Sequence, residues 1–364
     1  MNSHRGHPIA FLSSGLRTQY LEDMIRATAM PAGAHLRFRY RKKDLPGPIS
    51  DAASRNKLVG REAVLTFAAD AKRKIGEPTP IPCRIGYVVK TRDAGEYVVI
   101  YFELREYAVA DDLPAFRSAL SKSGCDFPTW TAPPDEKLKG MFAHEVPGLR
   151  DFYEKSLSND AWQKVVTQLK ATLDFAAEPF FYRVEGLFEL PDEDLLQPTS
   201  GAYSLRPSCS YEFRVLHFDP GDVSPPIQTM RQSLWLIVEI EGRGMERLTS
   251  AMLPIESPYD VKCVEFRSHS LTTQERSLVT FYRIPAPGVA PAIEDSVRDF
   301  DLRLEVRGHR LRPIAVGLFI GVLLTAQQLV AMKQGLELWQ QVVAIFTASF
   351  AAAIVAAFGL RKPS

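Results

Sequence analysis

Signatures of common catalytic machinery are missing from this sequence. It holds no Walker-type P-loop, no GxGxxG, no GxSxG and no HExxH, which removes the usual nucleotide, hydrolase and zinc-protease readings. Charge of one sign is lacking as well. Lys and Arg number 44 against 43 Asp and Glu, a balance that argues against a chain built wholesale for nucleic acid. The four cysteines, Cys83, Cys125, Cys209 and Cys263, form no CxxC and keep no regular spacing. That excludes a zinc ribbon or a disulfide framework and favours reduced thiols, with Cys83, Cys209 and Cys263 in strand-like runs as core residues. No internal repeat and no low-complexity tract is present. The start, MNSHRGHPIAFLSSGLRTQY, lacks the apolar core and cleavage site of a secretory signal. His4 and His7 are spaced HxxH but sit at a terminus, and His217 beside Asp219 and Asp222 reads as a turn with solvated carboxylates. The acidic run at 191–196 reads the same way. No metal and no cofactor is expected.

Charge is most completely absent near the C-terminal end. Pro313–Met332 and Leu338–Leu360 contain no Asp, Glu, Lys or Arg. Each reaches the roughly 20 residues, about 30 Å of helix, that cross a bilayer's hydrocarbon core. Neither shows the polar stripe of a helix in a water-soluble core. The expectation is a transmembrane hairpin, 313–332 and 338–360, in the cell inner membrane. Trp339 stands where an interfacial aromatic belongs, and Arg361 with Lys362 closes the chain. Arg298, Arg303, Arg307, Arg310 and Arg312 precede the first span, whereas the connecting turn offers only Lys333. The positive-inside rule then puts both termini in the cytoplasm. Arg307, Arg310 and Arg312 would meet anionic headgroups, each contributing about 1 kcal/mol near such a surface.

Small residues recur every fourth position in both runs: Gly317, Gly321 and Thr325 in the first, Ala344, Ala348, Ala352 and Ala356 in the second. Such faces let helix backbones approach closely in lipid. They would pack within one hairpin or against a neighbouring copy in a homo-oligomer. Gln328 falls on the face of Gly321 and Thr325, where it would form an interhelical hydrogen bond or line a pore.

The remaining chain reads as α+β, mainly β. Residues 1–125 are expected to form a small β-barrel or curved sheet with one helix. Ser13 or Ser14 would cap that helix, over Leu16, Tyr20, Met24 and Ala27. HLRFRY alternates Leu36, Phe38 and Tyr40 with Arg37 and Arg39, and the strands at 84–90 and 96–107 would form a hairpin through Asp93 and Gly95. Residues 126–178 read as a helical connector, in which Asp160 would cap a helix carrying Trp162, Val165, Val166, Leu169 and Leu173 on one face. About seven short strands separated by Pro- and Gly-rich turns follow over 179–308, a β-sandwich of immunoglobulin-like or jelly-roll kind. The Cys, Trp and Cys arrangement of a true immunoglobulin domain is missing.

The strongest binding signal is local charge. Between His35 and Lys74 eleven basic residues face four acidic ones. Arg37, Arg39, Arg41, Lys42, Lys43 and Arg61 are the candidate contacts for an anionic ligand, a lipid headgroup or a nucleotide. The expected role is a membrane-anchored, cytoplasm-facing sensor or scaffold that recognises a protein partner or anionic ligand and relays this to the hairpin. A membrane-permeabilising oligomeric effector is the alternative, and an enzyme with scattered catalytic residues a further one.

Overall fold

The computed structural model describes residues 6–306 except 16–17, 43–54, 70–77, 125–142, 179, 222–234, 243, 256, 270–273 and 284–296, together with residue 321. Within these residues lie three helices and three sheets. The first sheet has seven strands: β1 (Ile9–Ser14), β2 (His35–Arg41), β3 (Glu62–Ala69), β4 (Thr79–Ala94), β5 (Tyr97–Val109), β6 (Ala143–Glu145) and β7 (Glu154–Ser156). Their order is β2-β5-β4-β3-β1-β6, with β7 paired to β5. β1 and β3 run parallel, and every residue of both is buried. A strand covered on both faces reads as a continuous apolar run, which is why IAFLSS and EAVLTFAA carry so little alternation. On the edge strand β2 the alternation is complete: Leu36, Phe38 and Tyr40 are buried while Arg37 and Arg39 are exposed.

Three helices cover the sheet. α1 (Thr18–Ala29) and α3 (Asn159–Lys170) lie on one face; α2 (Leu113–Lys122) and a 3-10 turn at Leu149–Phe152 lie on the other. α2 is capped as its sequence demands, with the Asp112 carboxylate accepting from the Ala115 N–H at 2.9 Å and Pro114 in its first turn. α3 is capped by Ser158 rather than Asp160. It ends at Lys170, so Leu173 is exposed instead of joining the Trp162, Val165, Val166 and Leu169 stripe. Ser13 and Ser14 are not caps either, because β1 runs through them and α1 begins at Thr18.

The second half is a β-sandwich. One sheet is ordered β13-β15-β11-β8-β9, from β8 (Phe181–Leu190), β9 (Asp194–Leu196), β11 (Ser210–Phe218), β13 (Met245–Arg247) and β15 (Tyr259–Ser268). The other is β10-β17-β16-β12-β14, from β10 (Ala202–Leu205), β12 (Trp235–Glu241), β14 (Met252–Pro254), β16 (Glu275–Arg283) and β17 (Val297–Val306). Aromatic rings fill the space between them: Phe213 of β11 lies 6.0 Å from Phe281 of β16, and Tyr182 of β8 6.1 Å from Phe300 of β17. The same apolar cluster runs without a break into the face of the first sheet that carries α1 and α3.

Several expectations are corrected here. The N-terminal sheet does not close into a barrel, since its order ends on the separate edges β2 and β6. Residues 143–178, the described part of the stretch 126–178, do not form a separate helical connector, because β6 and β7 extend the first sheet and α3 packs on β4 and β5. No described helix is long and apolar enough to cross a membrane. The longest described helices have 12 residues, about 18 Å at 1.5 Å per residue and well short of a bilayer core. The expected transmembrane hairpin is not part of the described fold; apart from Gly321, its spans 313–332 and 338–360 lie outside the described residues.

A buried ionic clamp fixes the sandwich to the first sheet. The Asp299 carboxylate on β17 accepts from Arg283 Nε and from the Tyr182 hydroxyl, both at 2.7 Å. Arg283 also donates to Glu178, and Arg26 of α1 donates to the Asp299 carbonyl. Arg26 is held in turn by Asp23 at 3.0 Å and Glu22 at 3.1 Å. Burial pushes the Asp23 carboxyl up to about 7. Removing one partner of a buried pair strands the other charge and costs about 3–5 kcal/mol. Asp299→Ala should therefore lower the unfolding free energy by about that much in urea titrations, and pairing it with Arg283→Met should cost less than the single change. An unchanged midpoint in Asp299→Ala would contradict this role.

Candidate functional site

The cavity of interest lies where the first sheet meets the sandwich. It holds about 280 Å³ and is lined from the first sheet by Arg84, Arg105, Glu106 and Tyr107. Arg183, Glu185, Leu195 and Tyr203 are among the residues lining it from the sandwich. The segment after α1 contributes Pro31, and the residue before the cap of α3 contributes Leu157.

Two arginines dominate it. Arg84 is 1% exposed and Arg183 is 5% exposed. Arg84 stands directly opposite Tyr107 across the β4–β5 ladder, which explains the stacking of its guanidinium carbon 3.9 Å from that ring's centroid. Arg183 lies 5.6 Å from the centroids of both Tyr107 and Trp162. Tyr107 is fixed by donating its hydroxyl proton to the Thr28 carbonyl at 2.9 Å. Arg183 is oriented by donating to the Leu157 carbonyl at 3.2 Å and to the Asn159 side-chain oxygen.

Backbone irregularity puts Arg84 there. The register slips next to it on both sides, between Leu65 and Thr66 in the β3–β4 ladder and between Arg84 and Gly86 in the β4–β5 ladder. Such bulges re-aim side chains. Their effect is visible in the packing, for Cys83 belongs to the cluster facing the sandwich whereas Ile85 belongs to the cluster under α2. A regular strand would have kept both on one side and sent Arg84 to the other.

The electrostatics are unusual. Arg84 Nε and Nη1 and Arg183 Nε are buried without a hydrogen-bond partner. No described carboxylate lies within the 4.0 Å of an ion pair to Arg84, whereas Glu185 lies 3.9 Å from Arg183. Burial pulls the Arg84 pKa below its ordinary value, but a guanidinium titrates so high that it stays charged. Glu106 and Tyr107 oppose that lowering, but a buried cation without an ion-pair partner is costly, and an anion in the cavity would offset that cost.

The sequence-derived candidates lie elsewhere. Arg37 and Arg39 are exposed on β2, Arg41 is half-buried, and Lys42 pairs with Asp93 at 3.7 Å. Arg61 is taken up by Glu145 at 2.7 Å and by the His7 carbonyl. Lys43, Arg307, Arg310, Arg312, Gly317, Thr325, Gln328, Trp339, Ala344, Ala348, Ala352, Ala356, Arg361 and Lys362 lie outside the described residues, and Gly321 is described without its surroundings. His217 is not in a solvated turn: it is buried in β11, where burial lowers its pKa and its Nε2 meets the Ser257 carbonyl. Among the acidic residues at 191–196, Glu193 pairs with Arg214 at 2.6 Å. Cys83 is buried, Cys209 half-buried and Cys263 exposed, all as free thiols, while Cys125 lies outside the described residues. Among the described residues no group of three or more His, Cys, Asp or Glu could hold a metal.

No family model matches the chain. No curated protein matches its sequence. Among solved structures, the secreted serine protease VesC from Vibrio cholerae superposes with a TM-score of 0.20 at 11% identity, over 64% of this chain and 57% of that one. A superposition that weak carries no argument about fold or chemistry.

The buried arginine gives a prediction of unusual sign. In anion-poor buffer Arg84→Met should leave the urea midpoint unchanged or raise it, because it removes an unpaired buried charge while keeping the volume. Tyr107→Ala, an ordinary loss of a buried ring, should cost about 3 kcal/mol. A loss in Arg84→Met as large as that in Tyr107→Ala would mean the guanidinium is already satisfied by the protein.

Proposed function

We propose that this chain is an anion-binding sensor, whose recognition site is the cavity between the first sheet and the sandwich. The observation that carries the reading is Arg84: a fully buried guanidinium with two unpartnered nitrogens, in a cavity of about 280 Å³ shared with a second buried arginine. Guanidinium groups present fixed N–H forks suited to carboxylate and phosphate oxygens. Stacking on Tyr107 and Trp162 holds these forks in place before a ligand arrives, so less ordering cost falls on binding. Because the walls come from both halves of the molecule, an occupant would tie the two together. Relay to a membrane hairpin has no part in this reading, and the exposed Arg37 and Arg39 enter it only as a source of long-range attraction for anions.

The test is thermal unfolding of the full chain in phosphate or sulfate against chloride at matched ionic strength. A ligand at a hundred times its Kd stabilises by about 2.7 kcal/mol. The transition should rise with the oxyanion in the wild-type chain and fail to respond in Arg84→Met. An equal rise in both proteins would place the effect on the general surface and remove the proposal.

A further inference from the structure

Buried cationic side chains and solvent-exposed leucines line the same cavity. Arg84, Arg183, Tyr107 and Tyr203 are at most 5% exposed, and Val184 is the buried apolar residue beside them. Its exposed rim carries Arg105, Glu185 and Gln197 together with two leucines: Leu157 is 51% and Leu195 48% exposed, and both are among the few large hydrophobic side chains left in solvent among the described residues. Pro31 and Leu196 also line the cavity. The Leu195 position is fixed by contact rather than by chance. A Cβ on Gly186 would stand 2.4 Å from Leu195 Cδ1, so the glycine in β8 makes the room that lets β9 lay this leucine over the cavity.

The unpartnered donors are three nitrogens on two separate guanidinium groups, Arg84 Nε and Nη1 and Arg183 Nε. A carboxylate offers two oxygens in one plane; a phosphoryl group offers three strong acceptors that are not coplanar, and carries nearly two negative charges at pH 7. Glu106 and Glu185 also line the cavity, Glu185 lying 3.9 Å from Arg183. Arg84 is therefore the charge that calls for a partner.

We infer that the ligand is a phosphomonoester with an apolar body, its phosphoryl head on Arg84 and Arg183 and its body against Leu157 and Leu195; this rests on the anion-binding reading above. The head alone would satisfy the floor but leave both leucines in water. Burying them under an apolar body adds affinity that inorganic phosphate cannot gain. The same chemistry is carried by a small soluble ester and by the headgroup of an anionic phospholipid.

Calorimetric titration of the full chain with inorganic phosphate and with phenyl phosphate tests it. Phenyl phosphate should bind about tenfold more tightly or better, an advantage of roughly 1.4 kcal/mol or more. Leu157→Gln/Leu195→Gln, changed at exposed positions so that folding is spared, should bring the two affinities within about twofold of each other. Arg84→Met should abolish both. Equal affinity for the two probes in the wild-type chain would overturn the inference and leave the anion-binding reading standing; binding of neither would remove both. Cosedimentation with phosphatidic acid vesicles in phosphatidylcholine, set against pure phosphatidylcholine, separates the sources. Arg84-dependent pelleting assigns the headgroup, and its absence alongside phenyl phosphate binding assigns a soluble ester, both in keeping with the shared chemistry.

Discussion

The Asp299 carboxylate is the constraint on which the arrangement depends. It takes one proton donor from Arg283 on its own sheet and one from Tyr182 on the facing sheet, while its carbonyl holds Arg26 from the helix on the first sheet. Three layers thus converge on one residue that is 5% exposed. Apolar packing supplies the bulk of the contact between the halves, but it is non-directional. The ionic clamp supplies direction, because charge-assisted hydrogen bonds tolerate little misalignment. Once α1 is seated against β17, the sequence that leaves it, Pro31 to Gly33, must pass over the sandwich. Gly33 there sits close enough to Pro198 that a Cβ would come within 2.6 Å, and its φ of +80° suits glycine.

The recognition cavity follows from that placement. Its floor is built from two strands with irregular ladders: β4 slips beside Arg84, and β8 slips against β11 between Gly186 and Val184, while Arg183 itself pairs with Leu216. The disruption turns Arg84 inward, and the docking of the sandwich closes water away from it. Tyr107 links the two events. It is the cross-strand partner of Arg84, one of the two rings 5.6 Å from Arg183, and a donor to the carbonyl of Thr28 in α1. Loss of the clamp would be felt at the cavity through this ring.

The alternation in HLRFRY, the hairpin through Gly95 and the sandwich strands were all legible, because each is decided by local pattern or turn chemistry. β10 and β11, and likewise β13 and β14, were harder to separate, since the runs AYSLRPSCSYEFRVLHF and ERLTSAML each divide into two strands on four-residue turns without Gly. The parallel pairing of β1 with β3 leaves no local trace at all. The site was hidden for a different reason. A basic residue in an apolar strand is ordinarily assigned to the solvent face by period-two alternation, so Arg84 and Arg183 read as surface and the dense run from Arg37 to Arg61 drew the attention. Only the bulge overturns that assignment. The signal available in advance was faint: Pro82 within the run TPIPCRIGY, with Gly86 following, marks a strand that cannot keep a regular ladder. The charge-free C-terminal runs lay beyond the strands that organise the described fold.

The most direct measurement is a crystal structure of the full chain grown or soaked with tungstate, whose anomalous signal locates a tetrahedral oxyanion without ambiguity. The account predicts one strong peak between Arg84 and Arg183, within hydrogen-bond distance of the Arg84 Nε, with the Tyr107 ring still stacked beneath. An empty cavity with Arg84 turned onto Glu106, or tungstate bound only along the exposed Arg37 and Arg39 edge, would contradict it.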